Sequence, residues 1–215
     1  MALSLFLALA TSASTARSQV IVVGSGSFPL GSTLITFLGL VDGTEVNGLL
    51  FGGVLFSYSL GSGQVVIDGG PGVTNNVAPP NIVSVGNNAG VLTLVLPAFS
   101  DIFGFGFAVL STANLLNATT ITLFSGATNI GALSYGAAPD PAFSGGFAGI
   151  QSVTPFNRVQ LTFNSVSAPA FAVDNVRFGN ANVVPEPATL LLVGTGLGAI
   201  AAFRRRRRAL TNKAD

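Results

Sequence analysis

The sequence contains no histidine, no cysteine and no tryptophan, and only 8% of its 215 residues are charged, against about 25% in an ordinary soluble domain. Without imidazole or thiolate, the Ser/His/Asp and Cys/His nucleophilic mechanisms and the zinc sites built on those ligands are excluded. No disulfide framework can form. The chemistry left to the chain rests on eight carboxylates and on hydroxyl groups. Apolar residues (49%) and glycine (27 residues) are plentiful instead. The length fits one folded domain with appendages, enough to bury a core.

The net charge of +1 conceals a division along the chain. Five of the nine basic residues are the unbroken run Arg204, Arg205, Arg206, Arg207 and Arg208. Between Arg17 and Val184, three arginines (Arg17, Arg158, Arg177) face six carboxylates (Asp42, Glu45, Asp68, Asp101, Asp140, Asp174), for a local net charge of −3. A body with three scattered arginines has no basic stripe to neutralise phosphates, which argues against nucleic-acid binding.

The two ends read as addresses. Ala2 to Ala10, ALSLFLALA, has the length of a signal-peptide apolar region, and the small residues that follow suit cleavage after Ala16 or Ala10. Residues 1–16 are therefore expected to be a signal peptide, although the usual basic start is missing. A short buried helix is the alternative, since the run is too short to span a bilayer. At the other end, Pro185-Glu186-Pro187 leads into the uncharged stretch Ala188 to Phe203 and then the arginine run. Sixteen helical residues reach about 24 Å, a marginal span of a hydrocarbon core about 30 Å thick. The arginines hold the C-terminus, including the tail 209–215, on the cytoplasmic side and leave the body outside. Two prolines flanking Glu186 forbid helix at the junction and keep it extended, as a protease requires.

This order, a PEP tripeptide, an apolar helix and a terminal arginine cluster, resembles the PEP-CTERM sorting signal of Gram-negative bacteria over residues 183–208. The resemblance implies recognition by exosortase, a membrane-embedded cysteine transpeptidase or protease usually found in bacteria that make exopolysaccharide. It implies Pro185, Glu186 and Pro187 as the recognition motif and Arg204 to Arg208 as the stop-transfer element. An ordinary C-terminal membrane anchor is the alternative.

Between the addresses, apolar residues fall in short runs punctuated by Gly, Asn, Pro and Ser, and no helical period persists past two turns. The expected fold of 19–182 is all-β, an antiparallel two-sheet sandwich resembling a jelly roll. Arg158 to Asn164 alternates cleanly, with Val159, Leu161 and Phe163 on one face and Arg158, Gln160 and Thr162 on the other. In Ile102 to Leu110, Phe103, Phe105, Phe107 and Val109 share one face while Gly104, Gly106 and Ala108 line the other, where something must pack closely. Further strands are expected at 34–40, 49–59, 64–67, 81–85, 91–96, 119–124, 131–135, 147–152 and 171–178. Glu45 to Ser57 and Phe171 to Gly179 resemble the opening and closing strands of β-sandwich ectodomains that often precede this tail.

Asp174 is the body carboxylate that stands out, because alternation groups it with Ala172, Val176 and Phe178. A buried charge needs partners. One reading is a calcium ligand, as in jelly-roll carbohydrate-binding modules; the other is an acceptor for loop amides that pins the terminal strand. No motif selects a pair of acids for glycoside hydrolysis, and Asp42-Gly43 and Asp68-Gly69 are turn signals. The expectation is a non-enzymatic surface or extracellular protein associated with exopolysaccharide. A carbohydrate-binding module with a calcium-assisted site is the rival, weakened by a chain whose only tyrosines are Tyr58 and Tyr135.

Overall fold

The computed structural model describes residues 20–70, 74–85 and 89–181. The expected signal segment, sorting motif, membrane span, arginine cluster and cytoplasmic tail all lie outside these residues. Among the described residues no helix is long and apolar enough to cross a membrane.

The described chain is all-β, with eleven strands and one 3-10 turn at Ser25–Ser27: β1 (Val20–Val22), β2 (Thr33–Ile35), β3 (Leu50–Phe51), β4 (Val54–Tyr58), β5 (Val65–Asp68), β6 (Asn81–Ser84), β7 (Val91–Val109), β8 (Leu115–Ser125), β9 (Thr128–Pro139), β10 (Ser144–Phe163) and β11 (Phe171–Gly179). All pairings are antiparallel, in the order β5-β6-β11-β7-β10-β8-β9, with β1 on β10, β2 on β11 and the β3–β4 hairpin on β7.

Hydrogen bonding thus makes one eleven-stranded sheet where two separate sheets were expected. The reason is the length of β7 and β10, which are 19 and 20 residues long. Each was expected as two strands. A straight strand of 19 residues would run about 65 Å, too far for so small a domain. Instead the ladder between them is irregular from Gln151 to Arg158, and Pro97 and Pro155 interrupt the donor series without ending the extended backbone. The first part of β7 pairs with β4 and the last part of β10; its second part pairs with β11 and the first part of β10. Two strands therefore serve both halves of a sheet that folds over its own core.

Rings close that core. Phe163 of β10 stacks on Phe171 of β11 with centroids 3.9 Å apart, and it meets Phe105 of β7 edge-on at 6.4 Å. Phe103, Phe105, Phe107, Val159 and Leu161 are fully buried, as the alternation predicts. Burying each large apolar side chain stabilises the fold by about 1.5–3 kcal/mol.

Two expected strands end early. Segment 49–59 is a hairpin, because Gly52 and Gly53 take φ of 58° and 80°, the left-handed pair that a two-residue turn demands. The strand expected over 34–40 stops at Ile35. Phe37 has φ 57°, and the Leu40 N–H turns back onto the Phe37 carbonyl at 3.2 Å.

Candidate functional site

Asp174 lies on β11 opposite Gly106 of β7. The register between these strands slips from Asp174 to Arg177, where Asn175 adopts a left-handed φ of 52°. The bulge changes the alternation. Val173, Val176 and Phe178 point into the main core, whereas Ala172 packs in a second cluster with Val77 and Ala108. The expected grouping of Asp174 with Val176 and Phe178 is corrected accordingly: Asp174 shares the outward side with Ala172.

That side is covered by chain. A Cβ on Gly106 would stand 2.0 Å from the Asn76 carbonyl oxygen, and one on Gly104 would stand 2.6 Å from the Phe147 ring and 3.0 Å from that of Phe28. These are the close neighbours that the Gly104, Gly106, Ala108 row anticipates. Segment 74–78 crosses here, held by its own Thr74, whose Oγ1 accepts from the Asn76 and Val77 N–H groups, both at 3.1 Å.

Asp174 fastens this segment. Its Oδ2 accepts from the Ala78 N–H at 3.1 Å and from Asn175 Nδ2 at 3.2 Å, and its Oδ1 accepts from the Asn175 N–H at 2.6 Å. Asn175 Nδ2 also donates to the Asn76 carbonyl at 3.1 Å. Asp174 is only 3% exposed. Burial pushes its carboxyl up to about 6, opposed by the Ala78 and Asn175 amides, which favour the ionised form. Asp140 secures the same segment as well, accepting from Asn75 Nδ2 and, at 2.8 Å, from Asn76 Nδ2.

Calcium takes six to eight oxygen ligands, and the groups facing Asp174 are N–H donors. Among the described residues no three acidic, histidine or cysteine side chains gather as a metal site. The donor set therefore does not fit the ion, and Asp174 has the amide-accepting environment of the second reading. The remaining acids are also occupied by backbone. Asp42 and Asp68 accept from Gly69 and Gly70, Glu45 accepts from Asn47 and Gly63, and Asp101 accepts from Ala181.

The other half of the sheet carries a different outward face. The registers align Leu55, Val95, Arg158 and Phe124 in one row across β4, β7, β10 and β8, and Ser57, Thr93, Gln160 and Thr122 in the next. A third row sets Thr162 beside Thr120, whose hydroxyl lies 2.8 Å from that of Ser134 on β9. The alternate residues, Phe56, Leu94, Val159 and Leu123, are fully buried beneath. Arg158 is the one charge in these rows. Its guanidinium carbon sits 4.3 Å from the Phe124 ring centroid, and its Nε has no hydrogen-bond partner. The alternating strand already placed Arg158 outward; its stacking on Phe124 depends on a register that sequence does not state.

Both tyrosines are buried and engaged, Tyr58 accepting from the Gly90 N–H at 3.0 Å and Tyr135 donating to the Gly149 carbonyl at 2.6 Å. Burial raises both phenol pKa values. Neither presents a ring to solvent for a sugar to stack on.

The chain is similar in structure to a family 29 carbohydrate binding module, with 13% identity over 81% of this chain and 98% of that one and a TM-score of 0.27. It is also similar to a two-domain protein of unknown function from Bacteroides fragilis (15% identity, 66% of this chain and 45% of that one, TM-score 0.36). A third similar structure is the enzymatically active domain of tailspike protein 4 of bacteriophage CBA120 (18% identity, 67% and 21%, TM-score 0.36). Overlays this loose carry no argument about ligand. No curated protein matches the chain. Residues 183–208 match the PEP-CTERM protein-sorting motif, and the chain therefore bears the address of an exported, cell-surface protein that exosortase processes.

Proposed function

We propose that this protein is a non-catalytic β-sandwich ectodomain, jelly-roll-like in outline, that is exported, held at the membrane by 188–203, released from that anchor at the Pro185-Glu186-Pro187 junction and retained in an exopolysaccharide matrix. The observation that carries the reading is the sorting motif at residues 183–208, placed directly after the last strand of an all-β domain, β11, which ends at Gly179. A non-catalytic role is supported by the occupation of all six body carboxylates with loop or strand-end donors and by the lack of histidine and cysteine.

Mass spectrometry of the mature C-terminus, in hosts with and without exosortase, tests this directly. With exosortase, peptides beyond the junction disappear from the mature protein; without it they remain. An intact C-terminus in both hosts would leave residues 188–203 as an ordinary anchor.

A further inference from the structure

The open outward face of β4, β7, β10, β8 and β9 is unlike the covered one around Asp174. Four inter-strand spacings carry it about 19 Å across, enough for several sugar residues in an extended chain. Its middle positions are short hydroxyls and one amide (Ser57, Thr93, Gln160, Thr122), groups that both donate and accept. None of the rows contains a carboxylate, although the body carries a net charge of −3. The body's negative charge therefore lies elsewhere, and a positive group stands alone here.

That group is Arg158. The Phe124 ring holds the guanidinium carbon 4.3 Å from its centroid, and among the described residues the side chain makes no hydrogen bond or ion pair. A guanidinium restrained against a ring with its donors unspent is suited to pairing a planar carboxylate. The apolar strip of Leu55 and Val95, 42% and 39% exposed, continues the same row and offers a surface to the less polar side of a sugar ring. With both tyrosines buried and no tryptophan, stacking of neutral sugars on broad rings has little purchase. Charge and hydroxyl pairing are what the face provides.

We propose that this face binds an acidic polysaccharide chain, with Arg158 pairing a uronate carboxylate and the Ser57, Thr93, Gln160 and Thr122 row meeting sugar hydroxyls. The inference rests on the reading that the protein resides in an exopolysaccharide matrix, and it names the chemistry by which it is retained there.

The test is electrophoresis of the full-length chain in nonionic detergent through native gels cast with polygalacturonate or with dextran. The native protein is retarded by polygalacturonate and not by dextran, and the effect fades as salt is raised. Arg158→Gln weakens the interaction about tenfold or more, as expected for loss of one charge-assisted pair. Gln160→Glu, which sets a carboxylate beside Arg158 on the same strand face, does likewise. Arg177→Gln, at an arginine that donates to the Ser25 carbonyl, leaves retardation unchanged. Circular dichroism of each variant separates loss of binding from loss of fold. Equal retardation by dextran, native-like retardation of both Arg158→Gln and Gln160→Glu, or no retardation of the native protein would each overturn the assignment. The C-terminal mass spectrum is independent of all three, so failure of the face is distinguishable from failure of the sorting reading.

Discussion

β7 and β10 each present two outward surfaces, one in each half of the sheet, and the two were solved in opposite ways. Around Asp174 the outward positions are Gly104, Gly106 and Ala108 on β7 and Gly145, Phe147 and Gly149 on β10, the Phe147 ring lying over Gly104. The missing side chains admit other backbone: the Asn76 carbonyl lies against Gly106 and the Val23 carbonyl against Gly149. In the other half the outward positions are Thr93 and Val95, then Arg158, Gln160 and Thr162, of which Val95 and Thr162 are exposed and the others half-buried. The same two strands thus change from a packing surface to a presenting surface across the irregular register between Gln151 and Arg158. Glycine marks where the protein covers itself, and hydroxyl-bearing residues mark where it does not.

The largest effect follows from filling the covered side. Gly106→Ala places a methyl group where the Asn76 carbonyl stands, 2.0 Å from the ideal Cβ position. Backbone must move, so a loss of about 3 kcal/mol is expected, at the upper end of ordinary overpacking. Thr162→Ala on the open face stays within about 0.5 kcal/mol. Denaturant unfolding of the two variants side by side measures the contrast, and equal losses would erase it.

A second effect, of about 3 kcal/mol, comes from Asp174. The carboxyl titrates near 3.8 unfolded and at about 6 folded. Between those values the folded protein keeps a proton that the unfolded chain releases. The stabilisation is complete below the unfolded value and disappears as pH rises through the folded one, a loss of about 3 kcal/mol. Because pH 4 already lies just above the unfolded value, unfolding free energies at pH 4 and pH 7 should differ by about 2 kcal/mol for the native protein, and Asp174→Asn should flatten the slope. The open face, with no carboxylate in its rows, contributes no such dependence.

The smallest expected effect is none. EDTA and millimolar calcium should give the same melting temperature, because the donors around Asp174 are N–H groups and a ligand that does not bind the folded state cannot stabilise it. A rise in melting temperature with calcium would show that those amides give way to a cation.

What was legible in the sequence was local. The Phe103, Phe105, Phe107 row, the glycine row behind it and the Arg158 to Phe163 alternation follow from a period of two. The Gly52-Gly53 hairpin was also legible, since two glycines between apolar runs are a turn signal, yet the run reads as one strand when hydropathy alone is followed. Asp174 was placed on the wrong side because alternation assumes no bulge, and the one at Asn175 depends on a left-handed residue that asparagine merely tolerates. The joining of four expected strands into β7 and β10, and the meeting of Arg158 with Phe124, depend on pairing between distant segments, which no local pattern encodes.

The sorting assignment itself is tested most directly by changing the junction alone. In an exosortase-bearing host, replacement of Pro185, Glu186 and Pro187 by alanines removes two helix-breaking prolines and the carboxylate of the proposed recognition motif. Immunoblots of membrane and medium fractions should then show the variant uncleaved and retained with the membrane while the native protein is processed and released. Release of the alanine variant as efficiently as the native chain would contradict the assignment and reduce residues 185–187 to a linker.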